Sequence, residues 1–321
     1  FAQPVESYEA LNPYARLIVD EALRRGIHVE VTDAEGGFFR LAHGGRTIHC
    51  RESLSDLTSS VAMSICDDKA VTRRFAEGAG LTVPEQISAD APDVERQAFL
   101  EKHGKLVVKP ARGEQGRGIS VGVSTMEALT GAIKQARQVC DRVLLEACFE
   151  GEDLRLVVID YRLVAAAVRR PPRVVGDGRS PIRKLIDQQS RRRAAATGES
   201  RIPVDVETKR CLAEQGLDLE TVLEEGRDIT VRKAANLHTG GTIHDVTDSV
   251  HPDLVDAACR IAKAIKIPVV GIDFMVRDPA EPDYVFIEAN ERPGLANHEP
   301  QPTAERFVEL LFPGSRAPAG A

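Results

Sequence analysis

The stretch from 271 to 294, GIDFMVRDPAEPDYVFIEANERPG, constrains this chain most. Ile272, Phe274 and Val276 alternate with Asp273 and Met275, and DPAEPD separates them from a second apolar run, YVFIEAN. That pattern predicts a β-hairpin. With Arg277 paired to Tyr284 across the turn, Asp273 lies opposite Glu288, because partner numbers in an antiparallel pair sum to a constant. Glu288 and Asn290, two apart, share a face. Facing carboxylates destabilise a bare sheet, and a bound cation reverses that sign. Oxygen donors suit a hard ion such as Mg²⁺, which takes one or two carboxylates and completes its shell with water and substrate phosphates. The plain alternative is two acids on a solvated hairpin. Two features weigh against it: E-A-N leads directly into Arg292, Pro293 and Gly294, and other segments carry phosphate-binding parts. Asp273, Glu288 and Asn290 are therefore the candidate metal ligands.

A length of 321 residues suffices for one lobed domain or two to three small ones. The formal charge of −7 argues against a nucleic-acid partner. No apolar run approaches membrane-spanning length, and the start shows no signal-peptide pattern. The chain opens on Phe1, so a place within a longer polypeptide is expected to be open. Six cysteines lie scattered without a CxxC pair, which reads as buried thiols in a reducing cytoplasm.

Residues 7–25 predict an amphipathic helix stopped by Gly26, followed by a strand over 27–33 and a hairpin turning on Gly44 and Gly45. Asp67 is expected to start the next helix, which ends at Gly80. Lys69 falls in its first turn, where a cation is slightly unfavourable against the helix dipole. It is either a surface lysine or one held near a nucleotide phosphate. After a helix over 93–103 comes LVVKPARGEQGRGISVGV. Its loop, with Gly113, Gly116 and Gly118, joins two strands. A Walker loop or a dinucleotide fingerprint would open a helix instead. What fits is a glycine flap whose amides close over phosphates, with Lys109 at its base to reach them. Many ordinary hairpins also turn on glycines.

S-T-M-E at 124–127 predicts a capping box and a helix to about residue 140. A strand over 142–148 then reaches Glu146. Glu146, Ala147 and Cys148 are candidates for the adenine edge and Asp153 for the ribose hydroxyls; strand-terminating acids are the simpler alternative. Residues 154–170 predict a hairpin turning at Tyr161 and Arg162. Beyond it lies the most basic section, Arg169, Arg170, Arg173, Arg179, Arg183, Lys184 and 191–193. Tyr161 is its only nearby aromatic, so it matches no nucleic-acid module. Arg191, Arg192 and Arg193 read as a solvated helix face, whereas Arg155 and Arg169 are candidates for an anionic substrate. A helix capped by Ser180 and begun by Pro181 follows, with helical pieces over 206–215 and 219–225. The strand from 228 to 236 carries Arg232 and Asn236, candidates for stabilising charge on a transferring phosphoryl group. His238 and His244 would need a third ligand to hold a metal. A helix over 252–266 leads back to the opening hairpin, and TAERFVELLF closes the chain as an amphipathic helix.

From about residue 64 to 312 the sequence resembles the ATP-grasp carboxylate–amine ligases. The carriers are CDDKAVTRRFAEGAGLTVP, LVVKPARGEQGRGISV, LLEACFEGEDLRLVVIDYRLVAAAVR, VVGDGRSPIRKLID, VRKAANLHTGGT and the hairpin itself. It is similar to the ATP-grasp module of cyanophycin synthetase and, more closely, to the N-acetylglutaminylglutamine synthetases, which make a dipeptide osmolyte. The resemblance implies an α/β (α+β) ATP-grasp fold, two α+β lobes clasping ATP. Domains are expected at 1–63 (N-terminal α/β), 64–145 (small lobe with the flap) and 146–321 (C-terminal lobe with the metal site). It implies ATP with two Mg²⁺ ions, Mn²⁺ being an alternative, and amide formation through an acyl-phosphate. Lys69 and Lys109 would take phosphates, Glu146 and Asp153 the nucleoside, and Asp273, Glu288 and Asn290 the ions. Many members carry an arginine two residues before the first metal-binding Asp. Here that position is Gly271, and Arg232 is the candidate replacement. The backbone N–H of Gly294 would face the oxyanion. Implied substrates are amino acids or N-acylated amino acids in the cytoplasm, with homodimer formation left open. The rival readings are an ATP-binding regulatory module and a ligase of cyanophycin or glutamyl-peptide type.

Overall fold

The computed structural model describes residues 8–113, 117–197, 201–233, 235 and 239–315, with side chains at all but 193–197. The expected members Gly116, Asn236 and His238, and the side chain of Arg193, lie outside these described residues.

Helix α1 (Pro13–Arg24) starts where Asn12 Oδ1 accepts from the Ala15 amide and proline occupies the first turn. It stops before Gly26 at φ +70°. Strands β1 (His28–Asp33), β2 (Phe38–His43), β3 (Arg46–Arg51) and β4 (Leu54–Ser55) follow. Gly44 and Gly45, at φ +57° and +81°, give β2 and β3 the tight turn their twist requires. Helix α2 (Ser60–Asp67) then breaks before α3 (Lys69–Gly78). Asp67 therefore ends a helix and does not begin one. The start belongs to Asp68, extended at φ −109°, whose Oδ1 accepts from the amides of Ala70 and Val71.

Next come β5 (Gln86–Ser88), α4 (Asp93–His103), β6 (Leu106–Pro110), β7 (Ser120–Val123), α5 (Met126–Arg137) and β8 (Val143–Ala147). The cap of α5 is Thr125, one residue after the expected Ser124, with its side chain accepting from the Ala128 amide. Strands β9 (Glu152–Ile159) and β10 (Arg162–Arg170) turn on Asp160 and Tyr161, both at positive φ, one residue earlier than the sequence pattern implied. Then follow β11 (Arg173–Val175), α6 (Ile182–Thr197), α7 (Val206–Ala213), β12 (Asp228–Thr230) and β13 (Thr242–Asp245). The helical piece expected over 219–225 is instead turns around a single bridge between Pro181 and Val222. Here Leu219 and Leu223 are held by packing and not by helical periodicity. Helix α8 (Pro252–Ile265), β14 (Val269–Val276), β15 (Tyr284–Asn290) and α9 (Thr303–Leu311) complete the chain.

The strands assemble into four sheets, in the orders β1-β2-β3-β4, β13-β10-β9-β14-β15, β11-β12 and β5-β8-β6-β7. Two compact units emerge: residues 1–83, 154–167 and 245–321 form one, and 84–153 with 168–244 the other. This grouping differs from three consecutive segments. The N-terminal piece shares a core with the acidic hairpin's unit, where Ile18, Phe39 and Leu41 pack with Val157, Val269, Phe307 and Leu311. Among the described residues, the second unit shows two apolar clusters. In one, Leu106, Val108 and Leu145 pack against Leu129 and Ile133 of α5; in the other, Ile186, Leu212, Leu223 and Val231 meet. No helix among the described residues is long and apolar enough to cross a membrane.

Candidate active site

In the first unit, β14 and β15 pair Asp273 with Glu288 and Gly271 with Asn290. The opposition expected from the sequence is present, but the turn differs. Tyr284 faces Val276 and not Arg277, and the register shifts between Asp273 and Phe274. Phe274 pairs with Phe286, so Ile287 is an extra residue on β15, a β-bulge.

Asp273 is 2% exposed. Its carboxylate accepts from Arg155 twice, Nε to Oδ1 at 2.6 Å and Nη2 to Oδ2 at 2.6 Å, a bidentate fork across from β9. Asn290 Nδ2 lies 3.4 Å from Oδ2. Lys69, buried at the start of α3, places Nζ 3.8 Å from Glu288 Oε2. The sequence assigned Arg155 to substrate; the structure puts it on the candidate metal ligand. Arg155 packs over Gly271, where a Cβ would be in ordinary contact with Nε at 3.6 Å. The loop after β15 is pinned by the N-terminal piece. Ser53 Oγ donates to the Pro293 carbonyl at 2.7 Å, Arg292 pairs with Glu52 at 3.5 Å, and a Cβ on Gly294 would meet the Tyr14 ring at 2.9 Å. Only glycine allows that approach.

The donor set tests well for a hard cation: two carboxylates and an amide converge on one face of a two-strand ladder. Among the described residues no three His, Cys, Asp or Glu side chains cluster for a metal; Asn290, on the face of the two carboxylates, is the further oxygen donor at hand.

In the second unit, Lys109 Nζ lies 2.7 Å from Glu146 Oε2, with both side chains nearly fully buried. The register explains it. Lys109 faces Leu144 and Gln86 faces Glu146, so Lys109, Glu146 and Gln86 share a face. Gln86 Nε2 donates to Glu146 Oε1 at 2.7 Å. The amides expected at an adenine edge already have partners, Ala147 on the Glu85 carbonyl and Cys148 on the Lys105 carbonyl. Burial pushes the Cys148 thiol up from its ordinary range. Gly113 and Gly118, both at positive φ, press on Val139, where a Cβ would come within 3.1 and 3.0 Å.

Asp153 and Arg169 form a pair of their own, Nη2 to Oδ1 at 2.7 Å. The basic section is matched locally by acids: Arg170 by Glu152, Arg173 by Asp228 and Arg183 by Glu220. Arg191 and Arg192 are exposed, as expected. Arg232 is buried, with Nη1 2.6 Å from Asp205 and Nη2 2.7 Å from Glu207 at the start of α7. The cation on Asp273 is thus Arg155, while Arg232 ties down a helix start. The sequence reading missed Gln86, Asp205 and Glu207. Only the D-x-E spacing at the head of α7 hinted at the last two.

No family model matches the chain. In fold, it is similar to a bifunctional glutathione synthetase from Pasteurella multocida, with a TM-score of 0.66 at 23% identity, over 95% of this chain and 44% of the other. The chain has the ATP-grasp ligase fold. The D-alanine–D-alanine ligase of Bacillus anthracis shares this ATP-grasp fold at a TM-score of 0.52 and 14% identity, over 80% of this chain and 70% of its own. In sequence, the ATP-grasp chain is 30% identical to a cyanophycin synthetase of Trichormus variabilis over 96% of its length. It is 27% identical over 95% to a bifunctional glutathione biosynthesis protein of Clostridium perfringens. It spans 36% of the former and 42% of the latter, well under half of either relative.

Proposed function

We propose that this chain is an ATP-dependent carboxylate–amine ligase, of the N-acetylglutaminylglutamine synthetase type, that forms an amide through an acyl-phosphate. The observation that supports it best is the buried Asp273 held opposite Glu288, with Asn290 on the same face. Two opposed acids are unfavourable in a sheet unless cations meet them, and here Arg155 and Lys69 already lie beside them.

Asp273, Glu288 and Asn290 would hold Mg²⁺, which when bound would offset the charge that develops on the transferring phosphoryl group. Lys109 and Lys69 counter phosphate charge, and Glu146 and Asp153 serve the nucleoside. A substrate carboxylate oxygen attacks the γ-phosphorus, the bond to the bridging oxygen breaks, and ADP leaves. The amine nitrogen then attacks the acyl carbon, and the carbon–oxygen bond breaks. Phosphate departs and the amine's proton goes to water or phosphate. The Gly294 N–H, at the start of the 3₁₀ turn Leu295–His298, is a donor for the tetrahedral oxyanion. Acyl-phosphates hydrolyse, so water has to be kept from the intermediate.

The test is ADP release from purified protein with N-acetylglutamine as the carboxylate and glutamine as the amine. Parallel reactions contain aspartate chains and glutamyl peptides, each with an amino-acid amine. The proposal expects turnover that needs both a carboxylate and an amine. ADP release with the peptides alone would move the assignment to the cyanophycin or glutamyl-peptide type. ATP binding without ADP release on any pair would sink the ligase reading.

A further inference from the structure

Asp273 is met on both oxygens by groups that do what a cation does. Arg155 Nε reaches Oδ1 and Nη2 reaches Oδ2, each at 2.6 Å. The Asn290 amide nitrogen adds a longer contact, 3.4 Å from Oδ2. A divalent ion on Asp273 would draw on the same two oxygens and sit beside a guanidinium of like charge, and Asn290 would have to turn its carbonyl oxygen inward to join it. Arginine and ion therefore compete for one carboxylate. The competition is built into the fold. Arg155 leaves β9, the neighbour of β14 in the sheet, and crosses the face of Gly271 with Cδ 3.7 Å from where a Cβ would stand. Lys69 makes a looser contact of the same sign on Glu288, at 3.8 Å.

We propose that Arg155 is a positioning residue that gates divalent-cation binding, holding Asp273 until a nucleotide polyphosphate arrives, so that the ion enters with the nucleotide and not alone. The inference rests on reading Asp273, Glu288 and Asn290 as metal ligands. With the fork closed, one of the two facing negative charges is cancelled and a like charge stands in the path of an incoming ion. A polyphosphate reverses both effects. It brings further anionic oxygens to the ion, and it offers the planar guanidinium a new bidentate partner. A carboxylate pair with no arginine would instead take up a free ion readily.

The experiment is titration of Mn²⁺ into the full chain, followed by calorimetry and by electron paramagnetic resonance. Wild type, Arg155→Met and Arg155→Gln are compared with and without a non-hydrolysable ATP analogue. The second variant keeps a hydrogen bond to Asp273 should the first fold poorly. Without nucleotide, both variants are expected to bind Mn²⁺ at least about tenfold more tightly than wild type, and the analogue should close most of that gap. Equal Mn²⁺ affinity of wild type and variants without nucleotide would overturn the gate and leave the ligase reading standing. Absence of Mn²⁺ binding in every protein, even with the analogue, would overturn the metal-ligand reading and the gate together.

Discussion

Asp273 and Glu288 face each other because β15 carries one more residue than β14 between them and the Phe274–Phe286 pair. In the register set at the turn, where Val276 meets Tyr284, Asp273 would oppose Ile287 and Glu288 would project from the other face. The bulge at Ile287 brings Glu288 and Asn290 round to the face of Asp273 without disturbing the aromatic contacts of Phe274 with Tyr284 and Phe286.

Asp273→Asn and Glu288→Gln should each lower ADP release by about 100-fold or more, because each removes a charged ligand from the proposed ion. Far-UV circular dichroism should stay native in both. Asp273→Asn should also lose about 1–3 kcal/mol in urea unfolding, since Arg155 is left with a neutral partner. Glu288→Gln should lose less, its side chain being more exposed and its contact with Lys69 longer.

The Lys109–Glu146 pair sits inside the second unit with Gln86 on the same carboxylate. Lys109→Met leaves a buried carboxylate without its cation and should cost about 3–5 kcal/mol. Adding Glu146→Leu should restore much of that loss, because an apolar pair replaces an ion pair of similar volume. Urea denaturation of both singles and the double measures the coupling; additive losses would contradict it.

Arg232 joins the strand end after β12 to the head of α7 through Asp205 and Glu207. Its guanidinium helps hold Asp205 below the usual carboxylate range against the opposing effect of burial. Arg232→Met, which removes a buried hydrogen-bonded cation from two partly exposed acids, should destabilise the fold by about 1–3 kcal/mol. Glu207→Gln should reproduce part of that loss in the same thermal or urea assay.

Cys50 and Cys66 are buried thiols, and burial is the main cause that raises both, Cys66 to about 12 from 9.0. A raised thiol pKa means that the folded state binds the proton more tightly than the unfolded chain does. Its contribution is complete below pH 9 and is lost as pH climbs from there toward 12. Stability should fall over that range. Iodoacetamide at pH 8 should label neither residue until urea is added, as mass spectrometry of the peptides would report.

The sequence by itself determined the local features. Alternation gave the 271–294 hairpin, periodicity gave α4 and α8 nearly to the residue, and paired glycines gave the turn between β2 and β3. It also indicated the opposed acids, although the turn register used to find them was one residue off, and the bulge compensated. The tertiary structure decided which cation meets which acid. Arg155 and Asp273 are 118 residues apart, Lys69 and Glu288 are further still, and no local pattern records such a pairing. The helix expected over 219–225 failed for the same reason, its leucines being fixed by α6 and α7 across a core. Local hydrogen bonding and side-chain alternation can be read along a chain; the partner of a buried charge is set by which strands become neighbours.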